Sequence, residues 1–164
     1  MDQMIDEQVL IAIRRLIRAV DLHSRKLAQS YGLTGPQAVA LQEILKAVRI
    51  TPGELAKRIN LSQATVTEII KRLELKGLVS KTKAEDDKRK VYIEPTPAGG
   101  IAMEAAPPLL QETFSRRFRD LRDWEQMQLL SSLQRIVELM DADEIDAAPV
   151  LSTGAITGPT ENNQ

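Results

Sequence analysis

The sequence predicts a mainly α-helical chain carrying one small β-hairpin, an α+β arrangement of four helices, two strands and two further helices. Three observations predict it. Apolar residues recur at helical spacing near both ends: Val9, Ile13, Leu16, Ile17, Val20 and Leu27, then Met127, Leu130, Leu133, Val137 and Met140. Aromatics are 3% of the 164 residues although hydrophobic residues are 43%, so the core is Leu, Ile, Val, Ala and Met, which suits helix packing better than sheet sandwiches. The β-prone runs lie side by side around a charged stretch, and a lone hairpin cannot build a core of its own, so it must be an appendage with a purpose.

The elements follow in order. Residues 4–29 read as a long helix ended by Tyr31-Gly32. Thr34 is placed to cap a second helix from about Gly35 to Ala47, with Pro36 in its first turn. Thr51-Pro52-Gly53-Glu54 has the spacing of a capping box and opens a short helix to about Ile59. Asn60-Leu61 makes a tight turn; Ser62 caps a fourth helix that runs to Lys76 and stops at Gly77. Leu78–Lys83 and Lys90–Glu94 are strands flanking the charged segment 84–89, closed by Pro95-Thr96-Pro97. Residues 98–119 read as a helix that Pro107-Pro108 must bend or break. A last helix starts with Asp123 as cap and Gln126 three residues on. Residues 147–164, rich in Pro, Gly, Thr and Asn, read as a disordered tail.

Composition excludes several classes. With no cysteine there are no disulfides, thiolate metal sites or thiol redox sensors, and a single histidine, His23, excludes a histidine-rich metal site. Neither a phosphate-cradling glycine loop nor a nucleophile–base pair is present, so an enzyme is the least favoured class and no cofactor is expected. No stretch is apolar enough to span a membrane, and the acidic start, Met1–Glu7, is unlike a secretory signal, so the expected compartment is the cytoplasm. The net charge of −1 hides an uneven distribution. Residues 51–90 carry ten Lys/Arg against six Asp/Glu, whereas 141–164 carry five Asp/Glu and no Lys/Arg. A basic middle suits a polyanionic partner.

The short capped helix, turn and second helix form a helix-turn-helix, whose second helix reads base edges in the major groove. Here Val66, Ile69, Ile70 and Leu73 form the buried face of that helix. The opposite side carries Ala64, Thr67, Glu68 and Lys71, flanked by Gln63, Thr65 and Arg72. Gln suits adenine, Thr or Ala the thymine methyl, and Glu the cytosine amine, while Lys71 and Arg72 suit phosphate. At the hairpin tip the run Lys88-Arg89-Lys90 can follow phosphates or enter a minor groove, with Asp87 holding Arg89 extended. The expected DNA-binding set is Thr34, Gln37, Thr51, Ser62, Gln63, Ala64, Thr65, Thr67, Glu68, Lys71, Arg72, Lys83, Asp87, Lys88, Arg89 and Lys90.

The run Leu55–Thr67, with Arg72–Val79 after it, resembles the MarR family of bacterial regulators. Asp87-Lys88-Arg89 matches the family's Asp-x-Arg in the wing, and Pro95-Thr96 stands where the family has Leu-Thr. The resemblance covers about residues 5–141 and implies a winged helix-turn-helix with long flanking dimerisation helices. It divides the chain into an N-terminal dimerisation helix (1–33), a DNA-binding lobe (34–97) and C-terminal dimerisation helices (98–141), and leaves 142–164 as a disordered acidic tail. It further implies a homodimer on double-stranded DNA, a repressor of a pseudopalindromic operator, and a small-molecule effector of unknown identity. Arg14, Arg18, His23 and Tyr31 are the polar groups such an effector pocket would draw on. The acidic run Asp141–Leu151 is similar to the branch controlling compatible-solute (ectoine-type) genes. A non-specific architectural DNA binder and a protein-interaction module stay open as alternatives.

Overall fold

The computed structural model describes residues 2–83, 90–145, 147 and 150–153, with side chains from residue 4 onward. It divides into two compact units: Met1–Pro107 joined by the described residues beyond 149, and Pro108–Ala148.

In the first unit, α1 spans Asp2–Tyr31, α2 Gly35–Ala47, α3 Pro52–Ile59, α4 Gln63–Leu75 and α5 Pro97–Ala105. Leu41, Ile44, Leu55, Val66, Leu73 and Ile93 are fully buried and join α2, α3, α4 and the hairpin into one core. Each contributes about 1.5–3 kcal/mol of burial relative to exposure. Helix α1 enters the core only late, at Ser24 and Leu27; Met4, Ile5, Leu10, Leu16, Ile17 and Leu22 are exposed in a single copy of the chain.

Helix starts are set locally. Thr51 and Glu54 close a reciprocal box: the Thr51 N–H donates to Glu54 Oε2 (3.0 Å) and the Glu54 N–H to Thr51 Oγ1 (3.2 Å). The Thr51 backbone N–H, and next its hydroxyl, hold the Glu54 carboxyl below its usual range. This contribution is complete above the unfolded-state value and is lost as the pH falls through the lower folded value. Thr51→Ala is expected to cost about 1 kcal/mol in urea denaturation. Between α3 and α4 the chain turns at Asn60, whose φ of 53° and ψ of 46° are left-handed, a conformation asparagine tolerates better than most residues. After α4 the Gly77 N–H bonds Glu74 O (2.8 Å) and the Leu78 N–H bonds Leu73 O (3.0 Å), with Gly77 at φ +69°. This paired ending needs the left-handed residue that glycine supplies.

Strand β1, Val79–Lys83, pairs antiparallel with β2, Val91–Pro95, from Val79 opposite Pro95 to Lys83 opposite Val91. Both strands begin one residue later than expected. Leu78 spends its N–H on the helix ending, and Pro95, expected to close the hairpin, takes the last pair instead. Ile50 adds a short bridge to Ile93, N–H to carbonyl in both directions (3.1 and 2.8 Å), which the sequence reading does not contain.

Pro107-Pro108, expected to bend or break the helix over 98–119, breaks it in two. Helix α5 ends at Ala105, Ala106 is extended (φ −71°, ψ 146°) as a residue before proline must be, and α6 spans Leu110–Arg119. In the second unit α7 runs Asp123–Leu139. Its boxed start lies one residue earlier than expected: Arg122 is the cap, its N–H donating to Glu125 Oε2 (3.0 Å), and Asp123 is already helical. The expected disorder beyond 142 does not hold for Val150–Thr153. Val150 is buried, and the Thr153 N–H donates to Ser24 Oγ at 2.9 Å. Four residues carry no periodic signal, so nothing in their pattern announces this contact.

Candidate nucleic-acid interface

Helix α4 separates its residues by face. Val66, Ile69, Ile70 and Leu73 are buried, while Gln63, Ala64, Thr67, Glu68, Lys71 and Arg72 are exposed. Ser62 caps the helix, its Oγ accepting from the Thr65 N–H (3.1 Å) and sharing a hydrogen bond with Thr65 Oγ1 (2.8 Å). These two hydroxyls are therefore committed first to the cap. Thr67 Oγ1 donates to the Gln63 carbonyl (2.8 Å), leaving its lone pairs to accept. Lys83 and Lys90 are exposed where the strands enter the tip. Asp87, Lys88 and Arg89 lie outside the described residues.

Gln37 is corrected. It is 4% exposed, and its Oε1 accepts from Lys76 Nζ (2.9 Å) and, at the long limit of 3.4 Å, from the Thr34 N–H. A side chain so buried and engaged stabilises the start of α2 and is withdrawn from a duplex. Thr34 and Thr51 are accessible, but each hydroxyl accepts an N–H of its own helix, Gln37 and Glu54 respectively.

The structure also assigns cations that sequence reading leaves undifferentiated. Lys76 donates to the Gly32 carbonyl as well as to Gln37, which ties the end of α4 to the α1–α2 turn. Burial, and then the Arg72 charge, push its pKa below the ordinary lysine value. Lys81 pairs with Glu74 at 2.6 Å. Arg49 stacks 4.0 Å over the Tyr92 ring and meets Glu94 at 3.2 Å, bracing the base of the hairpin. Lys57 and Arg58 on α3 are exposed beside the turn into α4 and extend the basic surface. Their signal in the sequence is two adjacent cations in the last turn of the first helix of the motif.

The four effector candidates are not brought together. At 100° per residue Arg14 and Arg18 lie about 40° apart around α1, His23 lies about opposite Arg14, and Tyr31 falls elsewhere. Arg14 pairs with Glu7, and His23 Nε2 is buried without a hydrogen-bond partner among the described residues. Burial, and then Lys26, lower the His23 pKa. A cavity of about 320 Å³ lies instead within the second unit, lined by Leu110, Phe114, Phe118, Leu121, Leu129 and the cation Arg117. Phe114 and Phe118 stack there with centroids 5.3 Å apart. Among the described residues no group of His, Cys, Asp or Glu is placed to hold a metal ion, and no helix is long and apolar enough to cross a membrane.

A capped helix, a left-handed turn, a helix with a polar outer face and an adjoining two-stranded wing define a winged helix-turn-helix DNA-binding protein. The comparisons narrow this. The MarR family model matches residues 33–91. The uncharacterized HTH-type transcriptional regulator YsmB of Bacillus subtilis is 30% identical over 112 residues, 68% of this chain and 72% of that protein. The HTH-type transcriptional repressor YetL of the same organism is 42% identical over 60 residues, 37% of this chain and 36% of that one. The crystal structure of wild-type apo MarR from E. coli superposes with a TM-score of 0.52 at 25% identity, covering 77% of this chain and 94% of that one. The chain belongs to the MarR family and is a transcriptional regulator rather than an enzyme.

Proposed function

We propose that the chain is a homodimeric repressor of a pseudopalindromic operator, with α4 in the major groove and the hairpin along neighbouring phosphates. The observation that carries this reading is the face of α4, where Gln63, Ala64, Thr67, Glu68, Lys71 and Arg72 are all exposed over a buried apolar side. Gln63, Ala64, Thr67 and Glu68 meet base edges. Ser62, Thr65, Thr51, Thr34, Lys71, Arg72, Lys83 and Lys90 meet the backbone, and Asp87, Lys88 and Arg89 act at the wing tip. Repression is supported by the name of the YetL relative.

The dimer is supported by apolar surface left exposed in each unit. Helix α1 exposes Val9, Leu16 and Ile17 within about 100° of its circumference, and α7 exposes Trp124, Met127, Leu130 and Leu133. Contiguous faces of this kind are seldom left to water. A DNA partner gives the cytoplasm as the compartment. A small-molecule effector belongs to the same reading; Arg14 and Arg18 share one face of α1, while His23 and Tyr31 lie on others. The acidic run Asp141–Leu151 makes DNA upstream of ectoine-type genes one candidate operator.

The test is fluorescence anisotropy with duplex from upstream of the protein's own gene and of ectoine-type genes, across a salt series and with unrelated duplex as competitor. Binding that resists the competitor supports the reading; binding that the competitor abolishes supports an architectural binder instead. Arg89→Ala is expected to weaken operator binding and to lower the slope of log affinity against log salt by about one. Wild-type affinity in that variant would remove the wing from the proposal.

A further inference from the structure

After α7 the chain returns to the first unit. Val150 is buried at 6% exposure, two residues before a closely packed Ser152. Ser24 on α1, 7% exposed, donates its hydroxyl to the Val20 carbonyl (2.8 Å) and accepts the Thr153 N–H (2.9 Å). The Thr153 hydroxyl donates to Asp21 Oδ1 at 3.1 Å, and the same carboxylate pairs with Arg25 at 2.9 Å. Gly35, the first residue of α2, forms the floor. A Cβ built there would lie 2.6 Å from Ser152 Cβ, 3.0 Å from its Oγ and 3.5 Å from Val150 Cγ1. Glycine is not needed there for left-handed backbone, and in a helix it costs up to about 1 kcal/mol relative to alanine. The space it leaves is filled by the returning segment.

We propose that the seam between the end of α1 and the first turn of α2 is a peptide seat, occupied by the chain's own Val150–Thr153, which braces α1 against the DNA-reading lobe. The seat recognises a tightly turned segment, in which the Ser152 N–H donates to the Val150 carbonyl (2.8 Å), through a pocket for a branched aliphatic side chain, a glycine floor that admits only a close small residue, and the Ser24 hydroxyl as acceptor for a backbone N–H. On the homodimer reading, on which this second step rests, α1 links the lobe to the partner copy. The brace then narrows the spread of distances between the two reading helices. A chain whose competent arrangement is less populated binds its operator more weakly in proportion, whereas unrelated duplex, held by charge alone, is bound equally well.

The test uses the full-length protein, with Gly35→Ala to refuse Ser152 and Val150→Asp to spoil the anchor from outside the lobe. Hydrogen exchange is followed over residues 150–153 and 21–35. The expected result is slow exchange at the Thr153 amide in the wild type and at least about tenfold faster exchange in both variants, with α3 and α4 unchanged. A synthetic peptide of residues 147–156 added to the Val150→Asp variant should restore slow exchange over 21–35, and a scrambled peptide should not. Should Gly35→Ala misfold, the Val150→Asp variant and the peptide decide the matter alone. Fast exchange at Thr153 in the wild type, or no response to the peptide, would overturn the seat. Both variants should bind operator about fivefold more weakly and unrelated duplex equally. Released segments with unchanged operator affinity would overturn the brace. Failure of every form, wild type included, to bind any operator would count against the repressor reading and leave the exchange result standing.

Discussion

Gly99→Ala is expected to destabilise the chain by about 3 kcal/mol, whereas Gly100→Ala, one residue on, is expected to stabilise it by up to about 1 kcal/mol. Helix α5 is stapled to the turn that follows α4. Thr96 caps the helix by accepting the Gly99 N–H (3.1 Å), donates its hydroxyl to the Gly77 carbonyl (2.6 Å), and sends its own N–H to Leu78 O (3.1 Å). This brings α5 so close that a Cβ at Gly99 would sit 2.2 Å from Leu78 O and 3.3 Å from Leu41 Cδ1. The obstacle is backbone, and Leu78 is itself tied to Leu73, so neither side yields without losing hydrogen bonds. Among the described residues nothing lies within 4 Å of the corresponding position at Gly100, so alanine there only removes freedom from the unfolded chain. Midpoints of urea denaturation should move in opposite directions. A shared direction would mean that α5 does not rest on this turn.

On DNA, the two kinds of contact assigned to α4 should separate. Gln63→Ala is expected to cost about 1–3 kcal/mol at one operator position and little on sequences altered there. Lys71→Ala is expected to weaken binding on every duplex and to lower the slope of log affinity against log salt by about one. Competition against operators mutated one position at a time measures the first, and a salt series the second. If Lys71→Ala changed sequence preference while Gln63→Ala changed only the salt slope, the orientation of α4 proposed here would be reversed.

The architecture is largely legible in the residues because its punctuation is local. Thr34, Thr51 and Ser62 announce three helix starts, Gly77 announces a stop, and Pro107-Pro108 forces the break after α5. Where reading falters, a distant partner decides. Gln37 sits at a capping position that looks exposed, yet Lys76, 39 residues on, reaches it and the lobe closes over it. Gly99 looks like an ordinary weak helix residue until the Leu78 carbonyl is found against it. Val150–Thr153 answers to a groove made 129 residues earlier in the chain. The face of α4 is readable for the opposite reason: four buried residues at helical spacing determine which others remain outside. The pairing of Lys81 with Glu74, and of Arg49 with Tyr92 and Glu94, follows from tertiary neighbours that no spacing rule contains.

The bridge between Ile50 and Ile93 has a bearing on how the lobe is born. Helices α2, α3 and α4 carry their starting signals within four residues, so each can form transiently before its packing partners are made, although helices this short gain lasting stability only from packing. Ile50 acquires its backbone partner only when Ile93 has been made, and Val79 waits for Pro95. Closing that loop is the slow, non-local step, because the entropy of joining distant residues must be lost before the contact is gained. Nascent chains halted before residue 93 should therefore contain helical segments that still exchange freely, with the lobe locking in a single late event as β2 emerges.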